Sequence, residues 1–257
     1  MICLEGVSFH YPSKPLIFEN FSLEIGGGEA WAVLGPSGCG KSTLLYLAAG
    51  LRAPTAGRVW VNGAVLERPR PSTGLILQDF GLLPWATVEQ NVRLGFEIRD
   101  FYGPDEKHAS ETTPPAVIEE RVGVWMERLG LEPVRRQYPG QLSGGQRQRT
   151  AIARTLVLNP DLLLMDEPFA SLDAPTRENL QKIVLQLRQD SPLTSVIVTH
   201  SIEEAAVLGQ KILILRNRTN RSAEVVENPE AGAQGYADSE GYRRICSQLR
   251  EALGETA

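Results

Sequence analysis

Residues 30–51 read AWAVLGPSGCGKSTLLYLAAGL. AWAVLG is apolar and reads as a buried strand. It runs into a Gly-rich turn, and KSTLLYLAAGL then reads as a helix stopped near Gly50 and Pro54. Between strand and helix, GPSGCGKS (35–42) fits G-x-x-x-x-G-K-[ST], with the strand and helix that this pattern needs on either side. The chemistry explains the spacing. Gly35, Gly38 and Gly40 let backbone N–H groups converge on phosphate oxygens, together with Pro36, Ser37 and Cys39 of the same loop. A helix beginning near Lys41, Ser42 and Thr43 adds partial positive charge. Lys41 is expected to reach the β- and γ-phosphates and the Ser42 hydroxyl to bind Mg²⁺.

Working outward, the flanking chain is α/β. MICLEGVSFHY, FSLEI (21–25), GRVWVNG (57–63) and STGLILQ read as strands. From about 88 to 160 the pattern becomes helical. In VIEERVGVWMERLGL, Ile118, Val122, Trp125 and Leu129 share one helix face, and FYGPDEKHASETTPPA before it reads as an exposed loop. A further helix begins at the serine of LSGGQRQRTAIARTLVLN and stops before Pro160. DLLLMDEP, SVIVTH and KILILR then read as strands buried on both faces, with TRENLQKIVLQLRQ a helix between the first two. Strands alternating with helices predict a mainly parallel sheet. After residue 216 the chain turns polar and ends in a helix whose apolar face carries Tyr242, Ile245, Cys246, Leu249 and Leu253.

Composition excludes some classes. The 257 residues are 42% hydrophobic and 22% charged, with a net charge of −5 from 26 basic and 31 acidic residues. That balance argues against broad nucleic-acid binding, although Arg147, Arg149 and Arg154 form a local basic cluster. Cys3, Cys39 and Cys246 are odd in number and scattered, which fits a reducing compartment. No signal peptide is evident. The longest apolar run, LLYLAAGL (44–51), is far short of the roughly 18–20 residues that span a bilayer. Work at a membrane would need another chain to supply the membrane part.

LLLMDEP (162–168) places Asp166 and Glu167 at the end of a buried strand. Alone this is an acidic turn. With a phosphate loop, Asp166 reads as part of the Mg²⁺ shell and Glu167 as the base that polarises an attacking water. LSGGQ (142–146), ahead of that strand, offers Ser143 as a helix cap, with Gly144 and Gly145 leaving backbone donors open to an anion and Gln146 following.

These motifs together resemble the ABC (ATP-binding cassette) ATPases, and the likeness covers the chain up to about residue 216. The resemblance implies a P-loop NTPase (RecA-like) core with a mainly parallel sheet, an N-terminal antiparallel β portion and an inserted α-helical subdomain. The expected division is a core of 1–87 and 161–216, a helical subdomain of 88–160 carrying LSGGQ, and a linker with a C-terminal helix over 217–257. Residue by residue, Gln78 resembles the glutamine at a strand end that reaches Mg²⁺ or water. Ser171, Leu172 and Asp173 resemble the loop that contacts a partner subunit, with Asp173 equally suited to capping the next helix. His200 resembles the switch histidine facing the γ-phosphate, and Tyr11 the aromatic that stacks on adenine, with Phe9 and His10 as alternatives. Cys39 is either a thiol able to affect activity or a filler beneath the loop.

Such cassettes act as head-to-tail pairs, so a second copy of the chain is implied. A single cassette without membrane helices resembles a bacterial importer subunit on the cytoplasmic face of the inner membrane, working with an integral permease and, indirectly, a solute-binding protein. QDFGLLPWATVEQNV resembles the nitrate/sulfonate/taurine group, a segment shared with cassettes for other small molecules. The chain departs from that group in a longer stretch near 99–116, in NRTNRSAEVVENP after KILILR, and in Ser201 where Asp commonly follows the histidine. A soluble ABC ATPase and a P-loop kinase are the other classes, the latter having no use for LSGGQ. In ILQDFGLLPWATV (76–88), Phe80, Leu82, Leu83 and Trp85 either receive the permease or pack into the helical subdomain.

Overall fold

A computed structural model describes residues 1–102, 112–170, 172–190, 192–217 and 219–254. In chain order, its first strands and helix are β1 (Ile2–Phe9), β2 (Phe18–Ile25), β3 (Ala30–Leu34), α1 (Lys41–Ala48), β4 (Ala56–Val61), β5 (Ala64–Val65) and β6 (Thr73–Ile76). There follow α2 (Val88–Tyr102), α3 (Pro115–Arg128), α4 (Gly144–Leu156), β7 (Leu162–Asp166) and α5 (Ala174–Asp190). The chain closes with β8 (Thr194–Val198), α6 (Ile202–Leu208), β9 (Lys211–Ile214), β10 (Glu224–Glu227) and α7 (Glu240–Leu253). The fold is α/β. It divides into two compact units, Met1–Pro69 with Leu164–Glu167 and Gln181–Ala257, and Arg70–Leu163 with Pro168–Leu180.

The first unit holds two sheets. One is antiparallel, in the order β2-β1-β4-β5. Its buried face takes Ile2, Leu4, Val7 and Phe9 from β1. The phase slips by one residue between Leu4 and Val7, where the pairing with β2 is irregular and Gly6 adopts φ 58°. A bulge thus keeps both halves of β1 pointing into the core. The other sheet runs β10-β9-β3-β8-β7 within this unit. β3 pairs parallel with β8 (Val33 opposite Val198) and with β9 (Val33 opposite Leu213), and β10 lies antiparallel on β9. Every residue of β3, β7 and β8 is buried, as their continuous apolar runs predict for strands covered on both faces.

The stretch after residue 216, expected as a linker and a helix, supplies β10 and α7 to this unit. Both β10 and α6 are too short, at four and seven residues, to leave a periodic signal. Buried Asn228 closes the end of α6, its Nδ2 donating to the carbonyls of Ala206 (2.8 Å) and Gly209 (2.9 Å). Its Oδ1 accepts from the Tyr236 hydroxyl. Helix-end carbonyls that would be orphaned are thereby satisfied.

The second unit contains β6 and the helices α2, α3 and α4. α4 packs on both α2 and α3. Val92, Phe96, Val122, Met126, Leu129 and Ile152 are fully or almost fully buried. Arg135 holds Glu89 of α2 by two hydrogen bonds, 2.9 and 2.6 Å, which keeps that carboxyl below its usual range. The loop expected over 101–116 is shorter at both described ends. Phe101 and Tyr102 finish α2 and Pro115 and Ala116 begin α3, while 103–111 lie outside the described residues. Pro115 suits a first helical position because its missing N–H would have no partner there.

Candidate active site

The turn between β3 and α1 depends on glycine at its two ends. Gly35 adopts φ 155°, and a Cβ there would lie 2.5 Å from the Leu215 carbonyl oxygen and 2.7 Å from Cys39 Sγ. At Gly40, φ 110°, a Cβ would lie 2.4 Å from Ile17 Cγ2. Gly40 is also the residue before α1 and offers no side-chain cap, so the first-turn N–H groups have no side-chain partner from it. Lys41 is buried and folds over the loop, its Nζ donating to the carbonyls of Gly35 (2.7 Å) and Pro36 (3.1 Å). Cys39 is buried beneath the loop, and burial pushes its thiol up.

β7 delivers the carboxylates. Asp166 is 3% exposed, and Ser42 Oγ donates to its Oδ1 at 3.1 Å. Burial raises the Asp166 pKa and neighbouring Glu167 adds to this, while the Ser42 hydrogen bond and Lys41 oppose it. Glu167 adopts φ 46°, a left-handed conformation rare for glutamate, and its N–H donates to Val198 O at 2.9 Å. His200, just beyond β8, places Nδ1 3.2 Å from Glu167 Oε2. The chain around it is tied down, with Thr199 Oγ1 donating to buried Glu204 (2.6 Å) and Ser201 N–H donating to Thr199 Oγ1 (3.0 Å). Ser201 caps α6 by accepting from Glu204 N–H at 3.1 Å, the job an aspartate would do at that position.

A cavity of about 810 Å³ opens over the phosphate loop and Glu167, lined by residues 37–43, Glu167, Tyr11, Lys14–Ile17, Asn217 and Thr219. Tyr11 lies at its edge, its hydroxyl 3.3 Å from Thr43 Oγ1 and its ring edge-on to Phe9. Phe9 is buried in the antiparallel sheet and His10 is exposed; neither lines the cavity. Lys14–Ile17, Asn217 and Thr219 lie in no motif, and NRTNRS reads simply as polar linker. Only the return of the chain after β9 brings it here.

The other candidates belong to the second unit. Ser143 and Gln146 form a reciprocal capping box on α4. Ser143 Oγ accepts from Gln146 N–H (3.3 Å) and Gln146 Oε1 from Ser143 N–H (2.8 Å). The N–H groups of Gly144 and Gly145 between them are first-turn donors without intrahelical partners. Asp173 accepts from Thr176 N–H at 3.3 Å at the start of α5, and these bonds hold its carboxyl below the usual range. Ser171 lies outside the described residues.

Gln78 is exposed just after β6. Beyond it Phe80 and Gly81 adopt φ 59° and 58°, and Arg154 donates to both carbonyls (2.7 and 2.6 Å). Arg147 lies over the Phe80 ring at 5.7 Å. Arg147 and Arg149 also donate to the carbonyls of Leu142 and Leu129, so the basic cluster is engaged in holding backbone. Fully buried Asn91 fastens the rest of the loop. It accepts from Leu83 N–H and donates to the carbonyls of Leu83, Ala86 and Thr87. Leu82 and Leu83 are half-buried, and Trp85 is 73% exposed.

Residues 18–170 match the family profile described as "ABC transporter". The chain is 35% identical over 230 residues to the aliphatic sulfonates import ATP-binding protein of Bacillus cereus, covering 88% of this chain and 86% of that one. It is 39% identical over 242 residues to the taurine import ATP-binding protein of Pseudomonas aeruginosa, covering 92% and 87%. Among solved structures it resembles a dimeric, post-hydrolysis ATP-binding cassette bound to ADP and Pi, with a TM-score of 0.76, 29% identity and coverage of 88% and 98%.

Proposed function

The chain belongs to the ABC transporter family, and from that premise we propose that it binds and hydrolyses ATP to drive an importer whose permease is a separate membrane chain. The observation that carries this reading is the line from Ser42 through Asp166 and Glu167 to His200, of which Ser42 and Glu167 line the cavity that opens on the phosphate loop. Ser42 and Asp166 present two hard oxygens 3.1 Å apart, a donor pair suited to Mg²⁺. The metal supplies charge neutralisation at the phosphates when bound. Glu167 takes the proton of the attacking water, a role worth about 10²–10⁴ in rate, and His200 orients Glu167 and faces the terminal phosphate. Lys41 exchanges its own loop carbonyls for phosphate oxygens. Tyr11 stacks on the base.

Ser143, Gly144, Gly145 and Gln146 serve a nucleotide held by a second copy of the chain, and Asp173 faces that copy, in the head-to-tail pairing of ABC cassettes. Trp85 and its neighbours face the permease. No helix among the described residues is long and apolar enough to cross a membrane; in this reading the permease holds the chain peripherally on the inner face. The solute is a small anion of the sulfonate or taurine kind, delivered by a separate binding protein. Purification from native membranes tests the proposal. An integral membrane chain should come with this protein and stimulate its ATPase. Recovery free of any membrane chain would favour a soluble ABC ATPase.

A further inference from the structure

The phosphate loop is braced from a segment far along the chain. Asn220 is 6% exposed and lies in the polar return after β9. Its Nδ2 donates to the carbonyl of Cys39 inside the loop (3.1 Å), and its Oδ1 accepts from Arg216 N–H (3.0 Å). Its backbone N–H donates to Ile17 O (2.9 Å), and Ile17 is the residue against which Gly40 packs. Next to it Thr219 donates to Leu16 O (3.0 Å) and lines the cavity.

We infer that Asn220 is a positioning residue for nucleotide binding, which holds the Cys39 peptide so that the loop's N–H groups point into the cavity. The physical case is that a loop rich in glycine has much backbone entropy to lose when it wraps a phosphate. A buried amide that fixes one loop carbonyl removes part of that loss before ligand arrives, which is preorganisation. Because Asn220 acts through the loop and touches no reacting atom, its effect belongs in affinity.

This inference rests on the ATPase reading, and the experiment separates the two. Asn220→Asp keeps shape but turns the donor into an acceptor facing the Cys39 carbonyl, and Asn220→Ala removes it. Both variants should raise KM for ATP by about 5–20-fold, the cost of roughly one hydrogen bond to a buried group, with kcat within about twofold at saturation. Nucleotide-free melting should fall for both variants, more for Asn220→Asp, whose carboxylate would be buried against the Cys39 carbonyl, so KM is read at a temperature where each variant is folded. A folded Asn220→Asp with unchanged KM overturns the inference, as does lowered melting with unchanged KM. Should neither variant fold, hydrogen exchange on the parent chain decides. ADP should protect Asn220 and Arg221 together with the loop at 38–40, and protection of the loop alone overturns it. A parent chain that neither binds nor hydrolyses ATP refutes the ATPase reading itself.

Discussion

His200 Nδ1 and Glu167 Oε2 stand 3.2 Å apart, with the histidine side chain 67% exposed and the glutamate 20%. The backbone of Glu167 is turned into a left-handed conformation that aims this contact. A residue held in that conformation by surrounding structure marks a site whose geometry matters more than its local energy. Replacing Glu167 with Gln keeps the shape and removes the carboxylate proposed as the base. Glu167→Gln should bind ATP, slow hydrolysis by about 10²–10⁴ and accumulate as a dimer on size-exclusion chromatography with ATP. Normal turnover in single-turnover assays would refute the role given to Glu167.

Asp166 carries a stability cost that depends on pH. Its folded pKa is raised by burial, so ionisation disfavours the folded state. The cost is absent at pH values below the ordinary carboxylate range. It grows once the unfolded chain ionises and is complete above the folded pKa, hence at neutral pH. Asp166→Asn should therefore melt above the parent chain at pH 7, converge with it in acid, and lose Mg²⁺-dependent hydrolysis. Equal melting at pH 7 would contradict the burial argument.

Lys41 satisfies two carbonyls of its own loop, Gly35 and Pro36, while buried. Lys41→Ala removes this internal brace and, in the proposed reading, the phosphate contact. Binding of a fluorescent ATP analogue should fall by at least two orders of magnitude, given about 1.5–3 kcal/mol for each hydrogen bond to a charged group. Unchanged affinity would sink the phosphate-loop assignment.

The loop after Gln78 divides into a fixed base and a free tip. Asn91→Ala strands Leu83 N–H and the Ala86 carbonyl, while the carbonyls of Leu83 and Thr87 keep the backbone N–H groups of Ala86 and Asn91. It should destabilise the protein by about 1–3 kcal/mol in chemical denaturation. Trp85→Ala, at an exposed position, should change stability by less than about 0.5 kcal/mol. In reconstituted transporter, Trp85→Ala should nevertheless uncouple transport from ATP turnover. Lost stability with intact transport would return Trp85 to a packing role.

The sequence was most legible where one physical demand acts on neighbouring residues. A phosphate loop must have glycines, a lysine and a hydroxyl in fixed order, and strands buried on both faces must be apolar throughout, so residues 30–51 and 162–166 announce themselves. Ser143 and Gln146, read as cap and neighbour, form a full capping box. The bulge at Gly6, the short β10 and α6, and the return of the tail to the phosphate loop were not legible. β10 and α6 are too short for a periodic signal, and the bulge and the tail's return are decided by partners distant in sequence, as when Asn220 meets Cys39 across 181 positions. The apolar loop lay between these extremes. Its composition was plain, but the division into clamped Leu83 and exposed Trp85 depends on which backbone groups the Asn91 amide reaches, and that is set by the folded loop.

The parallel register of β3 has a consequence for how the protein is made. The strand that feeds the phosphate loop pairs with residues 195–198 and 211–214, and the loop is braced by Asn220. Although the ATP motif is translated by Ser42, its strand has no neighbours until most of the polypeptide has left the ribosome, and such distant pairings form late. Nascent chains stalled before β8 should gain no protease protection from ATP. The motif that reads earliest in the gene is among the last parts of the molecule to take shape.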